Sequence, residues 1–228
     1  MGLKQKIGLI LTILILAGIG AFLYISRPLP SASSPADILR ATIKASLVEG
    51  EVAYLADNGK SWAKYEIDET LNGSPKHVEG LTNDIQGQII LNKTNPSLSK
   101  IGVFKINART IKTDSAKRDN TVGRIILKSA DVANEFIIFE TSKIEGLPTD
   151  FKEASEFNFK IIGQLSVAGV TKEVTFNCKA VILNGKLLVN AETILPYSDF
   201  GMEIPKLPFL AWVDDKVKLS LNFVGQTL

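Results

Sequence analysis

The alternation of apolar and polar residues is strongest between residues 157 and 182. Apolar or small side chains occupy every second position from Phe157 to Val167, and the alternation resumes from Val174 to Ile182. Period-two patterning with one dry face and one wet face predicts two strands of an antiparallel sheet. Ala168-Gly169 lies between them and predicts a tight turn, because glycine tolerates a positive φ.

Similar alternation recurs along most of the chain after residue 50. Asn58-Gly59 and Asn184-Gly185 predict two further hairpin turns, whereas residues 72–77 are predicted to form a polar loop. Short helices are predicted near residues 34–47 and 115–128 from apolar residues at helical spacing. The remaining predicted strands cover residues 51–56, 61–68, 84–92, 100–112, 135–145, 186–195 and 217–223.

About nine strands joined by short turns, with no helix long enough for a crossover, predict an all-β antiparallel fold. Such a sheet must fold over or close, because open strand edges invite pairing with other chains. We therefore expect a barrel of about eight strands with short helices. A barrel of that size is either filled by its own side chains or holds one small ligand.

Residues 7–25 form an uncharged, almost wholly apolar run. A helix of about nineteen residues spans roughly 28 Å, which is close to the thickness of the bilayer core. Lys4 and Lys6 precede the run and Arg27 follows it, so the positive-inside rule places the C-terminal part outside the cytoplasm. The prediction is a single-pass transmembrane anchor in the cell membrane. The alternative is a cleaved signal peptide ending near residues 31–33.

The domain organisation predicted from these patterns has three parts. Residues 7–25 are the transmembrane anchor, residues 26–50 are a linker with a short helix, and residues 51–228 are the β-barrel domain. Pro28 and Pro30 stiffen the linker.

Composition narrows the classes of function. The formal net charge is only +2, with basic residues interleaved among acidic ones, so no nucleic-acid partner is expected. A single Cys excludes an intrachain disulfide, and a single His removes most metal sites and most Ser-His arrangements. No nucleophile–base pair, ligand cluster or phosphate-binding glycine loop is evident. We expect a protein that is not an enzyme and has no metal or cofactor.

The phrase from Ile161 to Phe176 resembles the YceI-like family of lipid- and polyisoprenoid-binding proteins. Arg118-Asp119 and Ser198-Asp199-Phe200-Gly201 support the resemblance, which covers roughly residues 62–224. It implies an elongated, lipocalin-like antiparallel β-barrel whose apolar tunnel holds a long isoprenoid chain or similar lipid. Asn120-Thr121 stand where members commonly carry His-Leu, a departure that affects head-group recognition more than the fold.

The dry faces of the predicted strands supply the candidate ligand-binding residues. The alternative is that these side chains simply pack against one another as a core. Residues 195–213 form an apolar loop without helical or strand periodicity, predicted either as a lid over the barrel mouth or as a packed loop. The candidates on the strands are Phe104, Ile106, Phe136, Phe139, Phe159, Ile161, Phe176, Leu219, Leu221 and Phe223, and those in the loop are Phe200, Phe209 and Trp212.

Several polar residues have two interpretations. Arg109, Arg118 and Asp119 either meet a polar head group or form a structural ion pair. Cys178 lies on a dry face and is expected to be a small buried hydrophobe rather than a nucleophile. His77 is expected to be solvated.

These observations favour one function and leave one alternative. The favoured function is a membrane-anchored extracytoplasmic binding protein for an isoprenoid or other long-chain lipid, with the lipid and the membrane as its partners. The alternative is a structural or interaction module of the cell envelope with a filled barrel. The sequence identifies neither the lipid nor any protein partner.

Overall fold

A computed structural model describes residues 3–33, 47–205 and 210–227. Among these residues, helix α1 (Leu3–Ser26) precedes a thirteen-stranded antiparallel sheet that curls around an interior. A second helix, α2 (Ala116–Thr121), continues into a π-helical turn (Val122–Ile126). The strands are β1 (Glu51–Ala56), β2 (Trp62–Leu71), β3 (Ser74–Thr82), β4 (Ile85–Gln86), β5 (Gln88–Asn92), β6 (Lys100–Ile101), β7 (Phe104–Asn107), β8 (Phe136–Glu145), β9 (Glu156–Val167), β10 (Val170–Leu183), β11 (Lys186–Pro196), β12 (Leu210–Val213) and β13 (Lys216–Thr227).

The main path of the sheet runs β4-β7-β8-β9-β10-β11-β13-β1-β5-β6, with β2 attached to β13 and flanked by β3 and β12. The all-β antiparallel class is as predicted. The thirteen strands exceed the nine or so predicted because two predicted strands are interrupted and because β3 and β12 form where loops were predicted. The predicted strand 84–92 breaks at Gly87, where a side chain would collide with the ring of Phe104. The predicted strand 100–112 divides into β6, β7 and a 3₁₀ turn (Ala108–Thr110).

The predicted hairpin at Asn58-Gly59 is wrong. β1 and β2 do not pair with each other; both pair with the same edge of β13, β1 through Tyr54–Ala56 and β2 through Trp62–Glu66. The loop between them lets β2 continue along that edge of β13 in the same direction as β1. Asp57 accepts backbone hydrogen bonds from Lys60 and Ser61 at 3.0 and 2.7 Å, which closes the loop without reversing the chain.

Two other predicted turns are confirmed. Ala168-Gly169 joins β9 to β10 with φ values of 51° and 84°, and Asn184-Gly185 joins β10 to β11 with 51° and 72°. Positive φ at both positions gives the turn a twist that matches paired strands. Asn72-Gly73 has the same conformation and joins β2 to β3, so the polar loop predicted there is wrong.

Helical segments agree with the prediction where they are described. α2 and its π-helical turn occupy the predicted helical region 115–128. We call residues 116–126 the cap segment. The helix predicted near residues 34–47 lies almost wholly outside the described residues.

α1 carries apolar side chains that are exposed all around its described turns, including Leu16 at 62% and Phe22 at 69%. Among the residues that the structure describes, no helix combines the length and hydropathy needed to cross a membrane.

Packing divides the interior of the sheet into two halves. Towards the Asn184-Gly185 turn, Tyr54, Leu187, Ala180 and Phe159 are 1–7% exposed and leave the centre filled. We call this the filled half. Towards the cap segment the inward side chains surround open space, and we call this the hollow half.

Candidate functional site

The hollow half contains a cavity of about 470 Å³, within the range of about 300–1,000 Å³ that is usual for ligand pockets. Its walls are the inward faces of the long strands. The cap segment covers one end of it, and Phe104 and Phe223 form its floor with ring centroids 5.6 Å apart in an edge-to-face contact. The lining is almost entirely apolar because the strands turn their dry faces inward.

Nine predicted residues line this cavity. They come from β7, β8, β9, β10 and β13, and from the 3₁₀ turn Tyr197–Phe200 that follows β11. Strands adjacent in the sheet therefore bring together side chains that are far apart in sequence. The nine are Phe104, Ile106, Phe139, Ile161, Phe176, Phe200, Leu219, Leu221 and Phe223.

The structure places three predicted residues elsewhere. Phe136 is outside the lining, because β8 turns Ile137 and Phe139 inward and a residue three positions from Phe139 falls on the opposite face. Phe159 faces inward but in the filled half, where it packs 5.8 Å from the ring of Phe157. Trp212 is 53% exposed. Phe209 lies outside the described residues.

Besides inward residues of β2, β3, β5 and β11, sequence reasoning missed two groups of lining residues. The first is the inward face of the cap segment, which the helical spacing of Val122 and Ile126 could have identified. The second group, Met202, Ile204 and Pro205, lies in the irregular chain after the Tyr197–Phe200 turn, where no periodicity marks a buried face. The predicted lid therefore contributes to the wall through its first half and through Val213 at its end.

Few polar groups reach the cavity. Arg118 lies in its wall and donates a hydrogen bond to Glu69 at 2.8 Å, and it also pairs with Asp114. The Tyr65 hydroxyl is buried beside the cavity without a hydrogen-bond partner among the described residues. Burial raises the pKa of Tyr65 to about 12, although nearby Arg118 acts in the opposite direction. The hydroxyl is thus a neutral donor over the physiological pH range.

The other predicted head-group candidates have structural partners. Asp119 accepts hydrogen bonds from the Thr113 backbone at 2.8 Å and its hydroxyl at 2.7 Å, which fixes the start of α2. Arg109 is buried and pairs with Glu135 at 2.9 Å. The structural alternative therefore holds for Arg109 and Asp119, whereas Arg118 remains at the cavity wall.

Cys178 is 4% exposed, and burial raises its pKa to about 12. A thiol in that state is protonated at neutral pH, so it behaves as a small hydrophobe.

Glu66, His77 and Glu79 lie close enough together on β2 and β3 to share a metal ion. However, the Lys64 ammonium already lies 3.3 Å from Glu66 and 3.0 Å from Glu79. His77 hydrogen-bonds to Asp68 at 2.7 Å, which raises its pKa, and its side chain is half-exposed. A lysine between the carboxylates neutralises the charge that would attract a metal.

A family model of the YceI-like domain matches residues 54–225. The chain belongs to the YceI-like family. This agrees with the resemblance carried by residues 161–176. A search of curated proteins finds no match.

Solved structures share the fold. BcnA of Burkholderia cenocepacia is 15% identical with a TM-score of 0.59, over 74% of this chain and 98% of that one. A polyisoprenoid-binding domain from Saccharophagus degradans, implicated in plant cell wall breakdown, is 10% identical with a TM-score of 0.60, over 78% and 99%. A Campylobacter jejuni YceI protein is 16% identical with a TM-score of 0.51, over 64% and 84%. At these identities the likeness shows the fold alone.

Proposed function

We propose that this protein is a membrane-anchored, extracytoplasmic binding protein that holds an isoprenoid or other long-chain lipid. The observation that carries the proposal is the apolar cavity of about 470 Å³ in the hollow half. Each methylene group moved from water into such a space contributes about 0.8 kcal/mol. An apolar chain is therefore the ligand that gains most from this lining.

The polar groups at the wall suit a lipid with one polar end. The Tyr65 hydroxyl has no partner among the described residues, and a buried hydroxyl without a hydrogen bond costs about 1–3 kcal/mol. A ligand oxygen accepting that hydrogen bond recovers the cost, and Arg118 lies in the same wall as a charged donor. The Saccharophagus degradans relative is described as polyisoprenoid-binding, which supports the same ligand class.

The anchor is supported by residues 3–26. Residues 7–25 contain no charged residue, and α1 is continuous over 24 residues. Side chains such as Leu16, Phe22 and Leu23 are 55–69% exposed in the isolated chain, and a bilayer would bury them. Lys4 and Lys6 before the run favour a cytoplasmic N-terminus and an extracytoplasmic sheet.

The test starts with the full chain, purified in mild detergent and extracted with organic solvent. We expect mass spectrometry of the extract to show a long-chain isoprenoid or related lipid. Reloading the delipidated protein with a C40 prenyl alcohol at 100 times its dissociation constant should add about 2.7 kcal/mol to the free energy of unfolding.

A five-carbon prenyl alcohol serves as the control, because it buries too few methylene groups to bind tightly. An extract without lipid, together with an unchanged melting temperature after reloading, would contradict the binding function. That outcome would leave the structural or interaction module as the function. Vesicle flotation of the full chain tests the anchor separately.

A further inference from the structure

The chain between α1 and the sheet is bonded to the domain rather than free. The Ser33 backbone N–H donates to Glu135 at 2.6 Å, and its hydroxyl donates to the other carboxylate oxygen at 2.9 Å. Arg109 donates to the Ser31 carbonyl at 3.0 Å. The side chains of Arg109 and Glu135 are 4% and 2% exposed, so the anchoring groups are themselves fixed by burial. We call residues 27–33 the strut.

The strut also holds the C-terminal end of α1 against the cap segment. Arg124 donates to the Arg27 carbonyl at 2.8 Å and to the Pro28 carbonyl, and its guanidinium lies 5.2 Å from the centre of the Tyr24 ring. Leu29 packs on Gly123 so closely that a Cβ there would lie 2.6 Å from the leucine methyl. The last turn of α1 is therefore in contact with the cap segment.

The opposite face of the cap segment lines the cavity through Arg118, Val122 and Ile126. The cap segment thus separates the end of α1 from the cavity by the thickness of one helix, about 10 Å. This end of the cavity, rather than the filled half, is the one nearest to α1.

An exposed tryptophan lies at the same end. Arg118 ties the cap segment to Glu69 of β2, and Glu69 is paired with Val213 of β12. Val213 lines the cavity, so its neighbour Trp212 points away from the cavity, where it is 53% exposed. Lys117 is exposed on the cap segment and adds positive charge there, whereas Lys112 beside it is paired with Asp119 at 3.7 Å.

We propose that the strut holds the cap end of the cavity against the surface of the bilayer that contains α1, with Trp212 in the lipid–water interface. This inference rests on the proposed membrane anchor. Seven unbonded residues would let the domain drift by about 23 Å, but the bonded strut removes that freedom. Tryptophan favours the interface, and basic residues favour anionic head groups. The ligand then passes between bilayer and cavity without crossing water.

The chain contains two tryptophans, which makes the orientation measurable. Trp62 begins β2, and Trp212 is paired with Thr70 near its end, about 26 Å along the strand. The full chain is reconstituted into vesicles of phosphatidylcholine and phosphatidylglycerol, with or without bromine on the acyl chains near the head group. Trp62→Phe leaves only Trp212 as fluorophore, and Trp212→Phe leaves only Trp62.

We expect brominated lipid to remove about half of the fluorescence of the Trp62→Phe protein, because interfacial tryptophan contacts the upper acyl chains. The fluorescence of the Trp212→Phe protein should not change. A flexible insertion of six Gly and Ser residues between Ser26 and Arg27 keeps the strut bonds but releases the domain from α1. It should abolish the quenching of Trp212. The same insertion between Asn184 and Gly185, in the filled half, is the matched control and should leave the quenching intact.

The outcomes separate this inference from the proposed function. A chain that floats with vesicles while Trp212 is unquenched, or quenched no more than Trp62, overturns the orientation and leaves the anchor and the lipid binding intact. A chain that does not float with vesicles overturns the anchor and the orientation together. Lipid extraction reports on the cavity independently of both results.

Discussion

The two halves of the sheet interior are built from the same alternating strands but differ in what they enclose. In the filled half, Phe159 packs against Phe157 and is 7% exposed. In the hollow half, Phe176 lies on the neighbouring strand, packs 5.2 Å from the ring of Phe139, and faces the cavity. Alternation therefore determines which side chains point inward, whereas the volume between opposite walls determines whether they meet.

The largest expected difference between the halves is in the free energy of unfolding that is lost when one aromatic ring in each is truncated to alanine. Phe159→Ala should lower the free energy of unfolding by about 3–5 kcal/mol, because it leaves a new void in a filled core. Phe176→Ala should cost about 1–2 kcal/mol in the delipidated protein, because that ring already faces empty space on one side. Urea unfolding of the two variants measures both values.

Reloading with lipid should increase the loss of unfolding free energy caused by Phe176→Ala and leave the loss caused by Phe159→Ala unchanged. Equal costs without lipid would mean that the walls of the hollow half collapse onto each other in solution.

A smaller difference is expected when a ring is added instead of removed. Ala180 in the filled half and Ala191 in the cavity wall are both buried, at 2% and 4% exposed. Ala180→Phe should destabilise the protein by about 1–3 kcal/mol through overpacking. Ala191→Phe should leave the stability nearly unchanged, because the added ring enters the cavity, and it should reduce lipid loading.

Thermal unfolding and loading with a fluorescent prenyl lipid test this pair. Normal loading of Ala191→Phe would show that the ligand lies elsewhere than in this cavity.

The smallest expected difference concerns acidification. Glu135 is buried, which by itself raises its pKa, but hydrogen bonds from Ser33 and the charge of Arg109 outweigh burial and lower it. A pKa lower in the folded than in the unfolded state stabilises the protein above the ordinary Glu pKa of about 4.3. That contribution is lost as the pH falls through the pKa of Glu135 in the folded state. The strut should therefore loosen at acid pH before the filled half does.

Hydrogen exchange, corrected for intrinsic rates, measures this at the Ser33 amide and at amides of the β10–β11 hairpin. We expect faster exchange of Ser33 once the pH falls through the lowered pKa of Glu135, with the hairpin unchanged. Glu135→Gln should show fast exchange of Ser33 at all pH values. Faster exchange of the hairpin amides at acid pH, with the Ser33 amide still protected, would contradict the expectation.

Much of the fold was predictable because it depends on local patterns. Strict alternation located β9, β10 and β13, and positive-φ residues located the turns at residues 168–169 and 184–185. Asn58-Gly59 misled because β13 offers one edge to both β1 and β2, and this pairing outweighs the preference of the dipeptide for a hairpin.

The site was predictable only in part. The inward faces of the strands identified nine lining residues. Alternation carries no information on the volume between opposite walls, so the sequence could not show that Phe159 lies in the filled half rather than beside the cavity. The strut could not be predicted either, because its partners Arg109 and Glu135 lie 78 and 102 residues away along the chain from the serines they bind.

The placement of β13 has a consequence for the order of events during synthesis. This strand joins β11 to both β1 and β2, yet it leaves the ribosome after all three. Until then the edges of β1, β2 and β11 that face β13 have no partner, and open edges invite association between nascent chains. Closure of the domain is therefore a single late step that depends on the last dozen residues of the sheet.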